Sequence, residues 1–292
     1  MRAVESSAEF AAATAEARGG GGGTAQVGFV PTMGALHDGH RALLAQARQE
    51  RDFVMASIFV NPLQFGPGED LARYPRDQER DLAILEEEGA DLAFVPVEGE
   101  LWPGGEPAVR LTVGGTLGTT LEGAHRPGHL DGVATVVAKL LHLAGPCAAY
   151  FGQKDAQQLA MVRRMVADLA FPHEIVAVPT VREHDGLALS SRNAYLSPLE
   201  RVNASALYRA LQAGRAAWYA GKTQPAEVES VALTLLEATP GVELQYLALV
   251  EPDDFRPAAQ ARAGQVLATA ARVGPARLID NVILEQSQGG MT

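Results

Sequence analysis

A chain of 292 residues, 47% hydrophobic and 20% charged, is long enough for one large or two medium domains, each with its own core. Its formal net charge of −11 argues against a nucleic-acid partner, and no apolar run approaches the roughly 18 residues that span a bilayer, which argues against a membrane partner. A single cysteine, Cys147, excludes an intrachain disulfide or a thiolate metal cluster built by one chain, and its flanks AGPCAAYF read as buried.

The segment MRAVESSAEFAAATAEAR carries acidic residues and no continuous apolar stretch, so it reads as a short amphipathic helix and not as a secretory signal. The run Gly19 to Gly23 reads as a flexible joint without chemistry. Strands are expected near 26–30, 53–60, 92–95, 148–151 and 174–179, alternating with helices at 38–51, 76–88, 129–143 and 155–169. That alternation predicts an α/β fold: a Rossmann-like parallel sheet with helices on both faces and right-handed crossovers. After Ser197-Pro198, Ala-rich helices at 198–219 and 225–238 precede the β-rich VELQYLALVEPDD and QVLATAARV, a smaller α+β domain. The boundary is expected between Thr180 and Ser190, giving domains 1–184 and 185–292.

Ligands of such sheets bind at the carboxyl ends of the strands, where helix N-termini present unpaired N–H groups to anions. The first strand runs into PTMGALHDGH, in which Gly34 and Gly39 allow close backbone approach and His37 and His40, three apart, share a helix face able to meet one phosphate. The second ends in SIFVNPLQF. There Asn61 and Gln64 offer amides that suit a molecule bearing hydroxyl and carboxylate groups, although NP could equally start a turn. The fourth ends in FGQKDAQQL: Lys154 suits phosphate, Asp155 is either an N-cap or a ribose or metal ligand, and Gln158 follows on the same face. In VREHDGLALSSRN, serine hydroxyls and Arg192 form an anion grip, and in HRPGHLDG, Arg126 and His129 either pair structurally or touch ligand. No Ser-His-Asp order or metal cluster emerges. Such residues stabilise charge and supply no nucleophile, which fits nucleotidyl transfer to a bound acid.

The segments PTMGALHDGH, SIFVNPLQF, FGQKDAQQL and LSSRN, in this order and spacing, closely resemble the pantothenate synthetase (pantoate:beta-alanine ligase) family over nearly the whole chain. The resemblance implies a nucleotidyltransferase fold related to class I aminoacyl-tRNA synthetases. It implies that ATP and pantoate form pantoyl adenylate with release of pyrophosphate, after which beta-alanine displaces AMP, with Mg²⁺ accompanying ATP. By matched position, Met33, Gly34, Ala35, Leu36, His37, Asp38, Gly39 and His40 would cradle ATP, with His37 as proton donor and His40 on phosphate. Gly152, Gln153, Lys154 and Asp155 would hold ribose and phosphate. Val181 would lie against adenine, and Leu189, Ser190, Ser191 and Arg192 would close over the triphosphate. Asn61, Gln64 and Gln158 would bind pantoate, Gln64 also lying near beta-alanine. His37, His40, Lys154, Ser190 and Arg192 would be the catalytic set. The resemblance also implies a cytoplasmic homodimer. One departure stands out: Arg80 occupies a position that is often acidic in the family and linked to Mg²⁺, which leaves Asp81, Glu79 or the triphosphate itself to hold the ion. Two other readings remain, a different nucleotidyltransferase using the same His-x-Gly-His turn and a catalytically silent binding protein.

Overall fold

The computed structural model describes residues 1–19 and 26–285, so Gly20 to Gly23 of the glycine run lie outside the described residues. Two compact units emerge, one of Met1–Gln153 and Met161–Pro179 and one of Lys154–Ala160 with the chain from Thr180 onward. Residues 154–160 and 180–184, expected in the first domain, thus group with the second. The reason is local: Asn281 holds the Lys154 carbonyl and Asp280 binds Arg182.

The first unit is built on six parallel strands, β1 (Arg2–Val4), β2 (Val27–Thr32), β3 (Phe53–Ile58), β4 (Leu92–Phe94), β5 (Ala148–Gly152) and β6 (Glu174–Val178), ordered β1-β4-β3-β2-β5-β6. Its helices are α1 (Ser7–Gly19), α2 (Asp38–Glu50), α3 (Gln78–Glu87), the short α4 (Glu98–Leu101), α5 (Gly115–Thr119) and α6 (Glu122–His125), then α7 (His129–Ala144). The helix α8 (Ala156–Asp168) leads to β6. Successive residues of a strand face opposite sides, so both faces need cover. On one, Val30, Val54 and Ala56 meet Leu44 of α2 and Leu85 of α3. On the other, Phe29 and Phe94 meet Phe10 of α1, whose ring stacks on Phe94 at 4.5 Å. The expected strands and helices are present. β1 departs from the expectation of helix at the N-terminus: three residues are too few to show a period, and the strand exists because it adds to the edge of β4, with Arg2 N–H donating to Asp91 O.

The second unit holds α9 (Pro198–Ala204), α10 (Ala206–Tyr219) and α11 (Pro225–Glu237) against an antiparallel sheet of β7 (Val242–Val250), β8 (Val266–Val273) and β9 (Ala276–Ile283). The single helix expected over 198–219 is broken at Ser205. Strand β9, ARLIDNVI, went unread because its charged residues hide the alternation: Asp280 and Asn281 are buried by partners elsewhere in the unit. No helix among the described residues is long and apolar enough to cross a membrane.

Candidate active site

Between β2 and α2 the chain takes two residues in left-handed backbone, Gly34 at φ 78° and Ala35 at φ 51°. Such a turn needs an external hold, since Ala is strained there. Asp81 of α3, only 2% exposed, provides it: one carboxylate oxygen accepts from Ala35 N–H and the other from Leu36 N–H, both at 2.8 Å. Gly34 is required by the same contact, because a Cβ would stand 2.7 Å from the Asp81 carboxylate. Asp81 is thus a turn clamp, each of its carboxylate oxygens accepting one backbone N–H. Arg80 and Glu79 are exposed, and no group of three His, Cys, Asp or Glu side chains able to hold a metal ion occurs among the described residues.

The clamped turn delivers His37 to the N-cap of α2. Its Nδ1 accepts from Gly39 N–H at 3.1 Å, while Nδ1 of His40 accepts from His37 N–H at 3.3 Å, a capping box built from two imidazoles 4.2 Å apart. A backbone N–H can only donate, so in the neutral rings Nδ1 is bare and Nε2 carries the proton. Two ring donors therefore accompany the helix N-terminus, an arrangement suited to a polyanion.

At the end of β3, Asn61 and Gln64 flank a 3₁₀ turn over Pro62–Gln64, and Gln64 reaches back to the first loop, its Nε2 lying 3.0 Å from Met33 Sδ. Asn61, only 1% exposed, faces Gln64 and the backbone of Gly132. Arg126 and His129 resolve toward structure. Arg126 forks onto both oxygens of Glu69, and His129 Nδ1 meets Gln64 O at 2.8 Å. Burial, with the Arg126 charge second, pushes the His129 pKa down to about 4. Cys147 is likewise inert, its thiol pushed up to about 12 by burial.

In the second unit, Val181 and Leu189 close a hairpin, Leu189 N–H donating to Val181 O at 3.0 Å, and Ser190 caps the 3₁₀ turn Ser191–Tyr195 by accepting from Arg192 N–H. Asn193 ties this turn to the hairpin through Glu183 and Ala188 O. Lys154 has its backbone carbonyl held by Asn281 Nδ2 at 2.9 Å and its ammonium 3.8 Å from Asp155. Beside Asn281, Asp280 grips Arg182 with both oxygens at 2.7 and 2.8 Å, and Arg182 also lies over the Tyr208 ring. Burial raises the Asp280 pKa, opposed chiefly by Arg182. The hairpin and the lysine turn thus hang from adjacent residues of β9. Asp280, Asn281 and Asn193 were missed by sequence reading; the one available signal was charged residues interrupting an apolar strand.

The pantoate-beta-alanine ligase family model matches residues 2–283. A pantothenate synthetase of Thermus thermophilus is 56% identical over 256 residues, covering 88% of this chain and 92% of that protein. One of Geobacillus thermodenitrificans is 51% identical, covering 89% of each. Among solved structures, a pantothenate synthetase of Thermus thermophilus superposes with a TM-score of 0.91 at 53% identity, covering 98% of this chain and all of that one. A pantoate-beta-alanine ligase of Francisella tularensis, complexed with beta-gamma ATP and beta-alanine, superposes with a TM-score of 0.79 at 32% identity, covering 97% and 98%.

Two outcomes follow from the first unit. Asp81→Asn replaces one acceptor of the clamp by a donor and lowers the unfolding free energy by about 2 kcal/mol, equally with and without Mg²⁺ in urea denaturation; a loss seen only with Mg²⁺ would make Asp81 a metal ligand. His129 refuses in the folded state, down to pH about 4, a proton that the unfolded chain accepts from 6.5 downward. Its contribution is complete above pH 6.5 and falls by about 3 kcal/mol as the pH drops toward 4, a slope that His129→Asn removes.

Proposed function

The chain belongs to the pantoate-beta-alanine ligase family, an ATP-dependent acid-amine ligase, and from that premise we propose that it works through an enzyme-bound pantoyl adenylate. A carboxylate oxygen of pantoate attacks the α-phosphorus of ATP, and the bond to pyrophosphate breaks. The amine of beta-alanine then attacks the acyl carbon, AMP leaves with the carboxylate oxygen, and the nitrogen loses its proton as the amide forms. The observation that carries this reading is the double-histidine cap on the clamped turn, which sets two imidazoles, each with its proton on Nε2, at the N-terminus of α2.

Each residue then has a task. Met33, Gly34, Ala35, Leu36, Asp38 and Gly39 cradle the nucleotide, while His37 and His40 donate from Nε2 to its phosphates. Gly152, Gln153 and Asp155 serve ribose and phosphate, and Lys154 neutralises charge developing at the α-phosphate. Val181 contacts adenine; Leu189, Ser190, Ser191 and Arg192 cover the triphosphate. Gln64 and Gln158 bind pantoate. His37 acts by stabilising charge, since pyrophosphate held by donors and cations leaves without a proton. Mg²⁺ enters on ATP, bound by phosphate oxygens and water, which is how this ion commonly binds when no carboxylate cage is offered. In this reading residues 1–184 make up the domain that binds ATP and pantoate, and residues 185–292 the smaller lid domain. The protein is a cytoplasmic homodimer acting on small molecules, without membrane partners and without nucleic-acid partners, the last of which the net charge of −11 disfavours.

AMP and pyrophosphate release from MgATP is expected to require pantoate, AMP release to require beta-alanine as well, and both to be lost in Lys154→Ala. Pyrophosphate release with no amine-dependent AMP would indicate a different transferase. His37→Ala should lower the single-turnover adenylation rate far more than it weakens ATP binding; equal losses in the two would refute a transition-state role.

A further inference from the structure

The strongest unassigned feature concerns how Gln64 meets its ligand, and it rests on the reading of Gln64 as a pantoate residue. We infer that Gln64 is locked into one amide orientation that offers the substrate a hydrogen-bond donor, and that Asn61 and the segment Arg126–Gly132 are the positioning residues that build the lock.

Gly132 O can only accept, and it lies 3.1 Å from Asn61 Nδ2. The nitrogen of Asn61, not its oxygen, must therefore face α7, and its oxygen takes Leu63 N–H at 3.4 Å, as that orientation requires. The second hydrogen of Nδ2 goes to Gln64 Oε1 at 3.0 Å. Gln64 thus turns its oxygen to Asn61 and its nitrogen to the Met33 loop. Among the described residues that nitrogen meets only Met33 Sδ, a weak acceptor. Rotating the Gln64 amide by half a turn would set NH₂ against NH₂ beside a side chain that is 1% exposed, leaving buried donors unsatisfied.

The backbone is fixed as firmly as the amide. Gln64 O accepts from His129 Nδ1 at 2.8 Å and from Arg126 Nη2 at 3.3 Å, and Arg126 cannot swing because Glu69 holds it in a fork at 2.7 and 2.6 Å. Residue 132 lets α7 come this close: a Cβ there would stand 2.2 Å from Leu63 O. The group presented to the ligand is a donor suited to a carboxylate or hydroxyl oxygen, so the position selects an acceptor on the acid substrate.

The test compares Gln64→Ala with Gln64→Glu in alkaline buffer, reading KM for pantoate, beta-alanine and ATP, with thermal midpoints as the fold control. The carboxylate introduced by Gln64→Glu would still accept from Asn61 but has no donor to offer. Q64E is expected to raise the KM for pantoate at least as far as Q64A, by about tenfold or more, while the KM for ATP stays within about twofold. A Q64E variant with near-normal pantoate KM beside an impaired Q64A would overturn the donor assignment. A Q64A variant with unchanged pantoate KM would instead remove the reading of Gln64 as a pantoate residue. For the lock, His129→Leu should raise the pantoate KM selectively and His129→Asn, which keeps a donor at the Nδ1 position, should restore it. Equal shifts in ATP KM and kcat, or no restoration by H129N, would reduce His129 to packing and overturn its part.

Discussion

The grip of one buried carboxylate on two backbone N–H groups sets the turn that leads from β2 into α2. Without Asp81, nothing among the described contacts would offset the strain of left-handed Ala35, and the entry of the chain into α2 would be free to vary. With it, His37 falls on the N-cap, and its ring and that of His40 close the capping box, Nδ1 of each accepting a backbone N–H. The tautomer and the ring orientation follow from that box. This is pre-organisation in the physical sense: the donors are oriented before any anion arrives.

The second unit uses the same device with the roles reversed. There a buried carboxylate holds a guanidinium, Asp280 on Arg182, and the neighbouring amide of Asn281 holds the lysine turn. A buried ion pair adds little net stability, because desolvation offsets attraction. What it does fix is direction: with Arg182 forked onto Asp280 and laid over Tyr208, the base of the Val181–Leu189 hairpin has one orientation. In both units charged groups act on backbone, and the residues assigned to substrate are placed by them.

Much of the architecture was legible because its causes are local. The alternation of apolar β runs with helical periodicity foretold the parallel sheet, and glycines, histidines, amides and a lysine follow its strands. The elements that escaped were those whose causes are distant. β1 is three residues long and exists by pairing with β4; β9 carries Asp280 and Asn281 into the core because partners far along the chain satisfy them. No periodicity could announce either. Arg126 and His129 were legible as chemistry but not as roles, since both readings, ligand contact and structural pair, suit the same side chains until Glu69 and Gln64 O are seen beside them.

The sequence by itself determined the family, the fold class and the inventory of donors and cations, because these depend on residue type and spacing. It left open what each polar group faces. Asp81, read as a possible metal ligand, clamps a turn; Asn61, read as a ligand contact, holds the amide of Gln64. Only the tertiary structure could decide this, because the direction of a hydrogen bond is set by whether its partner can donate, accept or do both. For Asp81 and Asn61, and through Asn61 for Gln64, the deciding partners are backbone groups brought near by packing. The Ala35 and Leu36 amides lie 46 and 45 residues from Asp81 in the chain, and the Gly132 carbonyl lies 71 residues from Asn61.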